Sequence, residues 1–405
     1  MDSRFSCSSL LFFIGQTKAT QLKILLVHNY YQQSGGEDTV VANEKALLEK
    51  FGHQVVTFFK TNDEINTLSV FEKLKLANET AWSKKSYAEM MIVLKREKPD
   101  VCHVHNTFPL FSPSVFQACK DSKTPVLQTL HNYRHICTNG LFLRQGKVCE
   151  DCLGSSAYGA VLKKCYRDSA IQTLAVARLI EQNKSRNTWN TLVDQFFCFS
   201  AFAKEKFIAA GIDEQLLTVK PNFIPEFQFP ASLASKNFYV YIGRLEENKG
   251  LKLLAEIAPK LSLPVKIIGS GVLSNELKSV KNLELLGQMS HDHTLQCLFN
   301  AKALLFPSLC YEGMPMTILE AFSTKTPVIA SDLGAMKSML DHRTNGLLFE
   351  PNSAQDLFEK VEMLDQDIDF QQQLASRAFS NFKEKYNEKA VYDLLMNTYQ
   401  RVLSK

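Results

Sequence analysis

The stretch Pro307-Ser308-Leu309-Cys310-Tyr311-Glu312-Gly313-Met314-Pro315-Met316-Thr317-Ile318-Leu319-Glu320-Ala321 decides how this chain is read. It follows a short apolar run, Ala303 to Phe306, of the kind that forms a buried strand, and it leads into a helical pattern. Pro315 falls in the first turn of that helix, where a missing N–H costs nothing. The unpaired N–H groups of a helix start suit the binding of a phosphate. Two carboxylates flank the start, Glu312 and Glu320. At helical rise their spacing in sequence amounts to roughly 12 Å, whereas the paired carboxylates of sugar hydrolases stand about 5 to 9.5 Å apart across one bond. The pair therefore suits the two ends of an extended ligand better than a single scissile bond.

Outward from this stretch the chain alternates short apolar runs with helical patterns. Phe238 to Ile242 ends in Gly243 and is followed by a helix over Leu251 to Pro259; further strands are expected at Val265 to Ile268, Leu283 to Leu286, Val328 to Ala330 and Leu347 to Phe349. The first half shows the same rhythm. Lys23 to His28 precedes a turn, Ser34-Gly35-Gly36, and a helix carrying Val40, Val41, Leu47, Leu48 and Phe51 that ends near Gly52. Strands follow at Gln54 to Phe59, Val101 to His105, Pro125 to Thr129 and Phe196 to Ser200. Such alternation predicts an α/β protein of two Rossmann-like, doubly wound parallel-sheet domains in series, facing a cleft. The expected organisation is an unstructured extension over 1–21, a first domain over 22–220 and a second over 221–385, with a closing amphipathic helix in 386–405 that packs back on the first domain.

A second cluster of chemistry lies at the mouth of the first strand of the second domain: Gly243-Arg244-Leu245-Glu246-Glu247-Asn248-Lys249-Gly250. Arg offers a planar fork to phosphate oxygens and Lys a mobile point charge. Together Arg244 and Lys249 suit a diphosphate that gains negative charge as it leaves. Gly269-Ser270-Gly271 and Gly35-Gly36 are weaker signals of close backbone approach to a ligand, and a plain turn explains the first equally well.

Composition restricts the alternatives. The chain has 405 residues, 45% hydrophobic and 22% charged, with a net charge of +4, which gives no argument for nucleic acid. The best apolar run near the start, Leu10 to Ile14, falls far short of the roughly 20 residues of a membrane span. Ten cysteines without a convincing secretion signal point to a reducing compartment, and the expected location is the cytoplasm or the inner face of the cell membrane. Four of them, Cys137, Cys149, Cys152 and Cys165, fall in one Gly-containing insertion over 137–165, a spacing that fits a structural zinc site, with free thiols and disulfides as the alternatives. Between Phe71 and Lys98 a run of Lys and Arg is interleaved with Trp82, Tyr87, Met90 and Met91. A solvated basic helix face explains it at least as well as contact with an anionic membrane.

These motifs resemble the retaining glycosyltransferases of family 4, which have the GT-B fold, and the likeness runs from Leu22 onward. It includes Gly35-Gly36, His103-Val104-His105-Asn106, Thr129-Leu130-His131-Asn132, Gly269-Ser270-Gly271 and the two glutamates. The resemblance implies a metal-independent hexosyltransferase that moves a sugar from a UDP- or GDP-sugar to a saccharide or lipid-linked acceptor in polysaccharide or lipopolysaccharide synthesis. By position, Glu320 would bind the ribose and Glu312 would lie near the transferred sugar. Arg244 and Lys249 would hold the diphosphate, His131 would face the donor sugar, and Gly36, Gly269, Gly271, Gly313 and Met314 would line the donor site. One departure stands out: after Val328 to Ala330 the chain reads Gly334-Ala335-Met336-Lys337-Ser338, where the family shows Gly-Gly and then Glu. Two rival readings are a nucleotide-sugar epimerase of the same fold, which would turn over donor without acceptor, and a non-catalytic nucleotide-binding partner protein.

Overall fold

The computed structural model describes residues 21–32, 35–231 and 235–405; residues 1–20 of the expected extension and Ser34 of the first turn lie outside them. The first sheet is built from β1 (Lys23–Tyr30), β2 (Gln54–Thr61), β3 (Val101–Val104), β4 (Val126–Thr129), β7 (Gln195–Cys198) and β8 (Leu217–Val219), with β5 (Leu143–Arg144) and β6 (Lys147–Val148) forming a separate small hairpin. Its order is β2-β1-β3-β4-β7-β8, all parallel. The second sheet comprises β9 (Tyr239–Ile242), β10 (Val265–Ile268), β11 (Leu283–Gly287), β12 (Ala303–Phe306), β13 (Val328–Ser331) and β14 (Leu347–Phe349). It is also fully parallel, in the order β11-β10-β9-β12-β13-β14.

The strands read as unbroken apolar runs because helices cover both faces of each sheet. In β1, Leu25 and Val27 pack with Met90, Val104 and Phe116, while Ile24 and Leu26 point the other way, toward Leu47, Leu48 and the closing helix. In β9, Val240 packs with Leu304 and Phe322, and its neighbours Tyr239 and Tyr241 join Leu251, Leu254 and Val265. The edge strand β8 escapes a reading of the sequence, since three residues are too few to show a period.

The helix after β12 starts one residue later than expected. Pro315 is its N-cap, with extended backbone (φ −65°, ψ 113°), and the helix runs Met316–Ser323. Glu312 consequently lies off the helix axis. Asp365, near the end of helix Ala354–Gln366, accepts the Tyr239 hydroxyl at 2.6 Å and pairs with Lys302 at 2.8 Å. At the start of helix His291–Asn300 the cap is Ser290, which accepts from the His293 N–H, and Asp292 occupies the first turn.

Residues 220–230 form no helix or strand and carry the chain from one sheet to the other. The return crossing comes near the end. Helix Ile368–Lys385 stays with the second sheet through Ala378 and Phe382, and then Asn387 caps a new helix, Glu388–Leu403. Its buried residues Val391, Leu395, Tyr399 and Val402 pack against Ile24, Leu26, Val101 and Phe197 of the first sheet. No helix among the described residues is long and apolar enough to cross a membrane. Because Leu395 is fully buried in this contact, Leu395→Ala is expected to destabilise the protein by about 2–5 kcal/mol in urea unfolding. Leu403→Ala, at a half-exposed position of the same helix, should stay within about 0.5 kcal/mol.

Candidate active site

Ligands of open parallel sheets bind where the strand order reverses, at the carboxyl ends of the two strands concerned. In the second sheet these are β9 and β12, and the loops leaving them are the two that carry Arg244 and Lys249, and Glu312 and Gly313. In the first sheet they are β1 and β3, whose loops carry Gly36 and Asn106. The four loops close on one cleft of about 1190 Å³, whose walls include Gly36, His131, Arg244, Lys249, Glu312 and Gly313.

Glycines set how closely these loops approach. A Cβ on Gly250, which sits at φ +72°, would meet the Pro307 carbonyl oxygen at 1.8 Å, so only glycine lets the two loops of the second sheet touch. A Cβ on Gly313 would lie 2.6 Å from the His131 carbonyl oxygen, across the cleft. At Gly36 the approach is looser, since a Cβ there would make only an ordinary contact with the Met316 side chain at 3.9 Å. Gly269 and Gly271 do something else. They pack against the backbone of Gly243 and Leu245 and are absent from the cleft wall, so they shape the Arg244 loop from behind rather than touching the cleft themselves.

Lys249 and Glu312 form one unit. Lys249 Nζ donates to Glu312 Oε1 at 2.6 Å, and the Ser308 hydroxyl donates to the same oxygen at 2.6 Å. Burial works to raise the Glu312 carboxyl, but the ammonium and these two hydrogen bonds outweigh it and hold the group ionised below its ordinary range. Burial likewise works against the charge on Lys249, and the Glu312 carboxylate overcomes it. Arg244, by contrast, is 54% exposed and among the described residues pairs only with Glu246, at 3.1 Å, leaving most of its guanidinium facing the cleft. Met314 is buried, and its sulfur accepts from the Asn222 N–H at 3.1 Å. Glu320 is buried beside His291 at 3.6 Å, its carboxyl raised by that burial, and it stands outside the lining of the cleft.

Both halves of the chain match known protein families. The family described as "Glycosyltransferase Family 4" matches residues 34–226, and "Glycosyl transferases group 1" matches residues 236–367. The chain belongs to glycosyltransferase family 4. Among its relatives, a glycosyltransferase of Methanocaldococcus jannaschii is 23% identical over 84% of this chain and 87% of its own length. The O-antigen chain mannosyltransferase C of Escherichia coli is 27% identical over 41% of this chain and 47% of its own. The solved structure of Anabaena HepE with UDP and glucose superposes with a TM-score of 0.66 at 15% identity, over 94% of this chain and 100% of that one, and shares its fold.

The glycosyltransferase also contains a buried polar network that sequence reasoning does not reach. Glu44, in helix Gly36–Lys50, is wholly buried and contacts Lys220 at 2.8 Å, His103 at 2.8 Å and His105 at 3.3 Å. His105 in turn meets His131 at 3.0 Å. The three histidines are visible as motif members, but nothing local to Glu44 or Lys220 marks them as their partners. Glu37 and Arg134, which line the cleft beside His131, likewise carry no local signal.

The cysteine insertion gathers its four thiols in one region without converging them as ligands. Among the described residues, the one group of three or more His, Cys, Asp or Glu side chains whose ligand atoms all lie within 4.8 Å of one another is Glu44, His103 and His105. A zinc tetrahedron would need four sulfurs at about 2.3 Å from a common point. Cys137 instead donates to Asn139 Oδ1 at 3.0 Å, and all four thiols are free. Burial, with the neighbouring thiols Cys137, Cys165 and Cys149, pushes Cys152 up to about 11, which keeps it protonated.

Burial, with the neighbouring His103, pushes His105 down to about 3 against the opposing pull of Glu44, and burial lowers His131 in the same direction. In the unfolded chain both titrate near 6.5. The unfolded state therefore takes up protons that the folded state refuses. This stability is fully present above about pH 6.5 and is lost as pH falls toward 3. Urea unfolding at pH 7 and pH 5 should show a loss on the order of 2 kcal/mol for each such histidine. His105→Gln should flatten the slope by one histidine's share, and an unchanged slope would count against the assignment.

Proposed function

We propose that the protein is a retaining hexosyltransferase that moves a sugar from a nucleotide diphosphate to a hydroxyl of a saccharide or lipid-linked acceptor. The observation that carries this reading is the Lys249–Glu312 pair, seated at the strand-order reversal of the second sheet with the exposed Arg244 beside it. As the bond between the anomeric carbon and the diphosphate breaks, negative charge collects on the leaving oxygen and positive charge on the sugar ring. Arg244 and Lys249 meet the first, and Glu312 holds Lys249 in place and faces the second. The departing diphosphate then takes the proton of the acceptor hydroxyl, which attacks the same face and retains the anomeric configuration. Two side-chain cations here meet the charge that a divalent ion meets in other transferases, which supports a metal-independent step. By the family resemblance the ribose hydroxyls fall to Glu320, one turn into the helix and behind the lining residues Met316 and Thr317. The O-antigen relative supports a place in cell-surface polysaccharide or lipopolysaccharide assembly. The fully formed Lys249–Glu312 unit favours catalysis over a non-catalytic nucleotide-binding partner, and product analysis with and without acceptor distinguishes transfer from epimerisation.

Calorimetric titration of UDP, GDP and ADP in the presence of EDTA tests the donor site. One nucleotide is expected to bind at micromolar level. Lys249→Ala should weaken it about 10- to 100-fold, the value of one or two charged hydrogen bonds. If no nucleotide binds, the donor reading is wrong.

The acceptor side of the cleft supports membrane contact. Helix Val70–Glu79 has no buried residue; Phe71 is 84% and Val70 72% exposed, and Lys73 lines the cleft next to Val70 and Leu74. The neighbouring helix Lys84–Glu97 is different, because its Met90, Val93 and Leu94 are buried in the core, so its basic face is an ordinary solvated one. An apolar edge with basic flanks suits an anionic lipid surface. Flotation with phosphatidylglycerol vesicles should be lost in Phe71→Asp; flotation that survives this change, or none in the wild type, speaks against membrane docking through this helix.

A further inference from the structure

A buried chain of polar contacts runs from Lys220 to the cleft wall. Lys220 Nζ donates to Glu44 Oε2 at 2.8 Å, and Glu44 Oε1 faces His105 Nε2 at 3.3 Å. His105 Nδ1 meets His131 Nε2 at 3.0 Å. Two ring nitrogens at hydrogen-bond distance share one proton, so the tautomers of His105 and His131 are tied together.

The charge on Glu44 decides which way they are tied. Burial alone would neutralise it, but Lys220 first, then His103 and His105, hold it ionised. A lone pair on His105 Nε2 would confront an anionic oxygen, whereas an N–H there is attracted to it. His105 is neutral and carries one proton, which therefore sits on Nε2 and leaves Nδ1 as an acceptor. His131 must then donate from Nε2, and its own Nδ1 keeps a bare lone pair. That nitrogen makes no hydrogen bond among the described residues and belongs to a ring that lines the cleft. The same three groups, Glu44, His103 and His105, are close enough to hold a metal ion. Lys220 already supplies the positive charge, and His103 is engaged on both nitrogens, by Tyr399 at 2.7 Å and Thr129 at 2.7 Å. The Lys220–Glu44 end of the cluster is hydrogen-bonded, while Glu44 Oε1 and His105 Nε2 face each other at 3.3 Å as buried atoms without hydrogen-bond geometry, so their coupling is electrostatic.

We infer that Glu44 is a positioning residue that, acting through His105, fixes His131 as an acceptor-only group at the cleft wall. The donor sugar selected is one that offers a hydroxyl proton to His131 Nδ1. This rests on the proposed donor site.

Long-range proton–nitrogen NMR of histidine-labelled protein, with His131 identified by the signal lost in His131→Asn, reads the tautomer directly and without any activity. Protonation at Nε2 is expected; protonation at Nδ1, or an imidazolium at pH 7, overturns the inference. In Glu44→Gln the second tautomer should appear. The kcat for sugar release from UDP-glucose should fall roughly tenfold or more while KM stays within about twofold, with partial recovery in Glu44→Asp. A Glu44→Gln enzyme that only melts earlier, with tautomer and kcat unchanged, reduces Glu44 to a structural role. If the nucleotide titration selects GDP or ADP, the matching sugar nucleotide replaces UDP-glucose. Failure of all three nucleotides to bind sinks the donor reading alone, because the tautomer spectrum is independent of it.

Discussion

The ion pair between Lys220 and Glu44 is the constraint on which the first half of this molecule depends. Burying one of these charges alone would cost several kcal/mol, so each is tolerable only with the other in place. Lys220 stands just past β8, and Glu44 lies in the helix after β1. His103 and His105 come from β3 and the loop beyond it, Thr129 from β4, and Tyr399 from the closing helix. One carboxylate thus fixes the relative register of segments that are distant in sequence. Any slip in one of them leaves a buried charge or hydroxyl unmatched. The cleft-facing His131 inherits its orientation from this arrangement through His105.

The second sheet solves the complementary problem with backbone instead of charge. Gly250 lies against Pro307, and Gly269 and Gly271 lie against Gly243 and Leu245. These contacts stack the loops after β9, β10 and β12 at van der Waals distance. Arg244, Lys249 and Glu312 are therefore presented from a rigid floor, and only Arg244 keeps much freedom. Gly313 carries the same logic across the cleft, since its lack of a side chain is what allows the second sheet to touch the His131 carbonyl of the first.

How much of this can be read in the sequence depends on range. Strand–helix alternation and the two loop motifs are local, and they place both sheets, the glutamate-bearing helix start and the Arg244–Lys249 loop at the correct strand ends. The pairing of Lys249 with Glu312 is not visible there, because each residue by itself points to a ligand. Glu44 and Lys220 escape notice because a lone Glu on a helix and a lone Lys before a proline look like solvated residues until the fold brings them together. Gly269 and Gly271 suggest ligand contacts in the sequence, whereas their small size serves the neighbouring loop. The cysteine spacing suggests a metal; spacing alone does not bring sulfurs to a common point, and here they are not convergent.

The closing helix gives the molecule an order of completion opposite to its order of synthesis. The cores around the second sheet draw on residues no later than Tyr386. The face of the first sheet formed by Ile24, Leu26 and Val101 is covered by Val391, Leu395, Tyr399 and Val402. During translation the N-terminal unit leaves the ribosome first, yet the part of this face that Leu47 and Leu48 do not cover waits for helix Glu388–Leu403. The half of the protein that is made first is the last to be finished.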